Sequence, residues 1–264
     1  MTTQIIEVPR RKRRRRRVLI AILSAVVVLV VLFLVADNFA RQYATHYIRE
    51  KVASSLGLAS DAPVTVKLSS GSILLQAATG HINSVTITID PLTLNGLSGS
   101  ATLTGHDVPL SRTQPVTSLD AVVRIPAATV RAAIAKLPGL AQYDPKVTIS
   151  GDHADVTASI AILGFTQSLG ITLTPKVTNG SPGLSIEAIT FDGASISTAQ
   201  LAHYVPSLGG VLSTGVSLCI ADQLPKSLVL TGVAFKGQTL VSTFTGDGTE
   251  LNSASLGAKG TCPD

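Results

Sequence analysis

The side chains best suited to chemistry in this chain are few and scattered. Asp152, His153 and Asp155 form its most acid-rich local cluster. Closely spaced carboxylates are the groups that coordinate calcium. Gly151-Asp152 is also a pair that closes a hairpin, because glycine accepts positive φ and aspartate bonds its own backbone. The turn is the expected role. The five histidines are His46, His81, His106, His153 and His203, and none belongs to an H-x-x-x-H or C-x-x-C arrangement. A transition-metal site therefore has no local support, and neither a metal nor a cofactor is expected. The strained G-x-S-x-G elbow, the phosphate loop and the dinucleotide fingerprint are all missing. Serines are abundant, but a triad assembled by the fold has no signature here. No catalytic residue is assigned.

Cys219 and Cys262 are the two cysteines. A nucleophilic Cys219 would need a lowered pKa and a histidine partner, and no histidine lies close to it in sequence. In an exported chain the pair is expected to form one disulfide, closing a loop of about 43 residues; the chain-entropy model values that at about 4 kcal/mol.

Export follows from the N-terminus. Arg10 to Arg17 place eight positive charges in a row, leaving 21 − 8 = 13 Lys and Arg against 16 Asp and Glu elsewhere. Outside the run the chain is thus slightly acidic, and the basic pI belongs to the tail. Val18–Ala36 follows, 19 residues with Ser24 as its one polar member. At about 1.5 Å per residue it spans roughly 29 Å, the thickness of a bilayer's hydrocarbon. A cleavable signal peptide would have a shorter apolar core and a small-x-small site, whereas Leu34 stands where a small residue is preferred. The span is read as a retained anchor. Arg13, Arg14, Arg15, Arg16 and Arg17, directly against it, act as the topology signal. They also suit anionic lipid, so no nucleic-acid partner is expected. Three segments follow: a cytoplasmic tail (1–17), an anchor (18–36) and an extracytoplasmic domain (37–264), in the periplasm or cell envelope.

Beyond the span, Ala40, Tyr43, Ala44, Tyr47, Ile48, Val52 and Leu56 keep helical spacing, with Gly57 as a stop. This helix is expected to pack on the outer domain rather than lie on the membrane. Strands then dominate. Val64, Val66 and Leu68 alternate with Thr65 and Lys67, and Val85, Ile87 and Ile89 alternate with Thr86 and Thr88. Such alternation buries one face. Further strands are expected at 101–104, 119–124, 146–150, 155–163, 167–174, 184–191, 227–235, 239–245 and 249–251. Short, glycine-containing connections argue for antiparallel hairpins. Two helices interrupt them: one opens at Pro126, with Val130, Ile134 and Leu137 on one face, and the other covers about Ser197 to Val205. Strands followed by a helix thus occur twice, without a residue-level repeat. The runs Ile73-Leu74-Leu75 and Ile160 to Phe165 read as strand ends apolar on both faces, suited to a sheet covered by a helix or curled around a ligand.

The order of these segments resembles a known family. The amphipathic helix leads into Pro63-Val64-Thr65-Val66, then Gly80-His81-Ile82-Asn83-Ser84-Val85. Leu218-Cys219-Ile220-Ala221-Asp222-Gln223-Leu224-Pro225 and the closing Lys259-Gly260-Thr261-Cys262-Pro263 are its most specific parts. Over about Asp37 to Asp264 the chain is similar to the actinobacterial LmeA-like phospholipid-binding family of cell-envelope proteins. At Ser70 to Gln76 it keeps Leu-Leu-Gln and lacks the aromatic residue of many members. The resemblance implies phospholipid binding in support of envelope lipid or lipoglycan metabolism, with no catalytic residue to carry over.

The expected fold is α+β: antiparallel, strongly twisted sheet(s) wrapped around one or more helices, preceded by one transmembrane helix. The expected partners are phospholipid and the cytoplasmic membrane, with Leu74, Leu75, Ile82, Val85, Ile87 and Ile89 as the apolar wall. A non-enzymatic scaffold that positions an envelope glycosyltransferase or another membrane protein is the alternative.

Overall fold

A computed structural model describes residues 11–55, 63–94, 97–111, 114–137, 140–162, 165–178, 181–204, 216–217, 227–247 and 258. One helix, α1, runs unbroken over Arg11–Ser55 and carries the apolar run directly into the domain. Its 45 residues extend about 67 Å. From Leu23 to Val35 its large apolar side chains are all exposed. Among the described residues it is the one helix long and apolar enough to cross a membrane. Past Ala36 its half-buried positions are Asp37, Ala40, Arg41, Ala44, Thr45, Ile48 and Val52, with Ala53 buried. This face packs on β1 (Val64–Leu68), as the spacing predicts. Tyr43 and Tyr47 do not join it. Both are exposed, in line with Phe39, because steps of four residues stack side chains on one flank of a helix.

The main correction concerns Ile73-Leu74-Leu75. These residues do not end a strand but open a short helix, α2 (Ile73–Thr79). Local chemistry accounts for it. The Ser72 hydroxyl caps the Leu75 amide, and Gly80 closes the helix in the left-handed conformation at φ 81°. Apolar content alone does not separate a strand end from one helical turn.

The strands then follow as β2 (His81–Leu94), β3 (Leu97–Pro109) and β4 (Ser118–Pro126), with α3 at Ala127–Ala135. A second series gives β5 (Lys146–Ser150), β6 (His153–Ile162), β7 (Phe165–Thr178), β8 (Ser181–Phe191) and β9 (Ala194–Ser195), then α4 (Thr198–Tyr204). The chain closes with β10 (Val216–Ser217), β11 (Val229–Phe235) and β12 (Thr239–Asp247). All pairings are antiparallel. Two sheets result. The first has the order β1-β2-β3-β4-β12-β11, and the second β10-β8-β7-β6-β5 with β9 beside β8. The α+β expectation holds. The predicted strand at 249–251 and the Gly57 stop lie outside the described residues.

The largest core lies on the second sheet. Ile149, Val156, Ile160, Leu169, Ile171, Leu173 and Ile189 are covered there by Val130 and Ile134 of α3 and Leu201 of α4. Phe235 joins from the first sheet, whose β11 packs against β7 and β8. The helix α3 thus sits between the sheets, and its first amide donates to the Gln238 carbonyl of the β11–β12 turn at 2.9 Å.

Candidate functional site: an apolar cleft between the sheets

Directly opposed residues in an antiparallel sheet share a face. In the first sheet the registers align Val66, Ile87, Leu103, Ala121, Phe244 and Leu230 in one row. Two residues along, the next row on this face is Val64, Ile89, Ala101, Val123, Ser242 and Val233. On the other side lies Leu68, Val85, Gly105, Leu119 and Gly246. The reverse face carries Thr65, Thr88 and Thr102 in one row and Lys67, Thr86, Thr104 and Asp120 in another. One side of this sheet is therefore mostly aliphatic, with Ser242, Gly105 and Gly246 as its exceptions, and the other is rich in threonine, with Val122 beside Thr102.

The aliphatic surface leads into a cleft of about 150 Å³, partly open to solvent. Val123, Ile125, Val233, Leu240 and Ser242 form its floor, extended by Leu92, Leu97, Gly99 and Ser100. Val130, Ala133, Ile134 and Leu137 of α3 form one wall, and Pro182, Gly183 and Leu184 of β8 another. Among the described residues, serine hydroxyls are its only polar side-chain groups and no ionisable side chain lines it. A closed aliphatic cavity of this size stays dry and accepts a guest about as large as benzene. The cleft therefore suits the end of an acyl chain rather than a whole lipid.

None of the six predicted wall residues lines the cleft itself. Val85, Ile87 and Ile89 lie on the same sheet face; Ile89 is two strands from Val123, about 10 Å. Val85, Ile89 and Ile82 are buried, and Ile87 is half-buried. Leu74 and Leu75 sit apart on α2, with Leu74 half-buried and Leu75 62% exposed. The floor strands β4 and β12 and the α3 face were each legible locally. Their meeting depends on pairing across more than a hundred residues, for which sequence carries no local signal. Arg13 to Arg17 belong to α1, and Cys219 and Cys262 lie outside the described residues.

A second polar constellation joins α2 to α1. The Asp37 carboxylate accepts the Ser72 hydroxyl at 2.7 Å and the Leu74 amide at 2.9 Å. These donors, the amide first, hold its pKa below the usual carboxylate range. One turn later the Arg41 guanidinium donates to the Ser69 carbonyl at 3.0 Å and also to the Gly71 carbonyl. Buried Gln76 secures the other side of α2. Its side-chain carbonyl accepts the Ser69 hydroxyl and the Asn83 amide, each at 3.0 Å. An aspartate just past an apolar span, with arginine four residues on, was the available sequence signal for this clamp.

The Asp152, His153 and Asp155 cluster is a fold element. His153 reaches Asp152 at 3.0 Å and Asp155 at 3.3 Å, while Thr172 donates to Asp155 at 3.0 Å. Gly151 makes the β5–β6 turn at φ 63°. The hydrogen bond with Asp152 raises the His153 pKa and lowers that of Asp152. Among the described residues no group of three or more His, Cys, Asp or Glu forms a metal site.

The described residues thus combine two antiparallel sheets, an apolar cleft between them and one long helix with exposed apolar side chains. The chain belongs to the LmeA-like phospholipid-binding family, whose model matches residues 35–245. No curated protein and no solved structure matches it.

Proposed function

We propose that this is a single-pass membrane protein that binds phospholipid outside the cytoplasm, with its basic N-terminus inside. The apolar cleft carries the reading. An acyl chain would lie along the aliphatic sheet face with its end between β4, β12 and α3. Each methylene taken from water contributes about 0.8 kcal/mol. Val85, Ile87 and Ile89 continue the wall across the sheet, and Leu74, Leu75 and Ile82 stand at its far end. The headgroup stays outside, where hydrogen bonding is available.

Retention of the span is supported by its continuity with a helix that the domain holds at Asp37 and Arg41. Orientation rests on the basic block. That no described residue brings an ionisable group to the cleft lining favours binding over catalysis. The role is to support cell-envelope lipid or lipoglycan metabolism, and Cys219 and Cys262 are linked to each other.

Native mass spectrometry of the full chain released from detergent tests this. A solvent-extractable adduct with the mass of a phospholipid is the expected result. A bare chain that takes up no lipid after incubation with phospholipid vesicles would count against binding.

A further inference from the structure

The domain is held to its anchor at a definite height. Ala36 ends the apolar run and Asp37 follows at once. At about 1.5 Å per residue, Asp37 lies about 2 Å and Arg41 about 8 Å past that end. A bilayer's headgroup layer is roughly 6 Å thick on each side. Asp37 holds the start of α2, and Arg41 holds the carbonyls of Ser69 and Gly71 just before it. No flexible linker intervenes, so α2 is fixed at headgroup level.

What α2 presents there is apolar. Beyond α1, four large hydrophobic residues are exposed among the described ones: Leu75, Leu110, Phe165 and Val229. Two of them stand at α2. Leu75, the third residue of α2, is 62% exposed, and Leu110 is 51% exposed. The Leu110 amide donates to the carbonyl of Gly80, the residue that closes α2, at 2.9 Å. Phe39, two residues past Asp37, is 73% exposed. Aromatic rings at the membrane interface serve as depth anchors.

The sheet runs from this edge towards the cleft. The row Leu68, Val85, Gly105 and Leu119 lies towards α2, and the row containing Val123 and Ser242 lies four residues farther along. That separation is about 13 Å.

We propose that Leu75 and Leu110 form a hydrophobic lip seated in the outer leaflet of the bilayer that holds α1, with Phe39, on the opposite flank of α1, anchoring the helix at the same depth. The strands of the first sheet then run from the membrane surface towards the cleft. This rests on the span being retained in the membrane, as proposed above.

The chain has no tryptophan, so each substituted tryptophan is the sole indole emitter. Full-length Leu75→Trp, Leu110→Trp, Phe33→Trp and Lys236→Trp chains are reconstituted into phosphatidylcholine vesicles with and without brominated acyl chains. Thermal unfolding confirms that each variant folds. Phe33→Trp reports the span, and Lys236→Trp reports the β11–β12 turn at the opposite end of the strands. The lip predicts that Leu75→Trp and Leu110→Trp lose most of their emission to bromine, as Phe33→Trp does, while Lys236→Trp keeps its own. Quenching of Phe33→Trp alone overturns the lip. Equal quenching of Lys236→Trp also overturns it, because the contact is then not confined to this edge. An unquenched Phe33→Trp removes the anchor, and the lip with it.

Discussion

The Ser72 hydroxyl donates to the Asp37 carboxylate at 2.7 Å across 35 positions of sequence, and it accepts the Leu75 amide at 3.2 Å. One side chain both caps a helix and binds it to another. Ser72→Ala removes both contacts and is expected to cost about 1 kcal/mol, the usual value of an N-cap. Denaturant unfolding of the full chain in detergent measures it. Ser72→Thr, which keeps an oxygen at the cap, is expected to retain most of that stability.

Proton linkage at the same contact has a definite sign. Asp37 has its pKa lowered by folding, so its contribution is present above the ordinary carboxyl value of about 4. It is lost as pH falls through the lowered value. Asp37→Asn should flatten the acid limb of the stability curve. His153 works the other way. Its raised pKa means a contribution fully present below about 6.5 and lost as pH rises through the raised value. His153→Gln should flatten the curve on that side. Thermal midpoints measured across pH check both.

At Gly99 the floor of the cleft leaves no room for a side chain. A β-carbon there would stand 2.4 Å from the Arg124 carbonyl oxygen and 3.3 Å from its carbon. Both are backbone atoms, so a strand must move. Gly99→Ala is expected to cost about 1–3 kcal/mol in denaturant unfolding, in the range of overpacked cores.

Ala133 lines the cleft from α3 and is half-buried. Ala133→Trp places an indole in the space of about 150 Å³. Co-purifying phospholipid, measured by solvent extraction and mass spectrometry, should fall several-fold while the fold persists. Unchanged lipid content in a folded variant would place the ligand elsewhere.

Much of this architecture could be read from residue pattern. Val64 to Leu68 and Val85 to Ile89 announce strands by alternation, and the observed pairing puts their aliphatic residues on one face. Val130, Ile134 and Leu137 announce the face of α3 that meets the cleft. Both are local signals with a period of two or of 3.6. The start of α2 was misread because Ile73-Leu74-Leu75 is too short to show a period, and its cap depends partly on Asp37, distant in sequence. The cleft was out of reach for a related reason. Its floor pairs Val123 with Ser242 and Ile125 with Leu240, a register that no local pattern encodes.

That same pairing has a consequence for how the chain is made. As the polypeptide emerges from its N-terminus, β1 to β4 can assemble as an antiparallel meander while one edge of β4 still lacks its partner. The strand that covers it, β12, begins at Thr239, and its first residue pairs with Pro126. Until more than a hundred further residues are delivered, that edge presents open backbone amides and carbonyls. Non-local closure of this kind is slow and exposes the intermediate to aggregation. Synthesis would thus leave a half-sheet waiting with one edge open, and the final hairpin acts as the closing step of assembly.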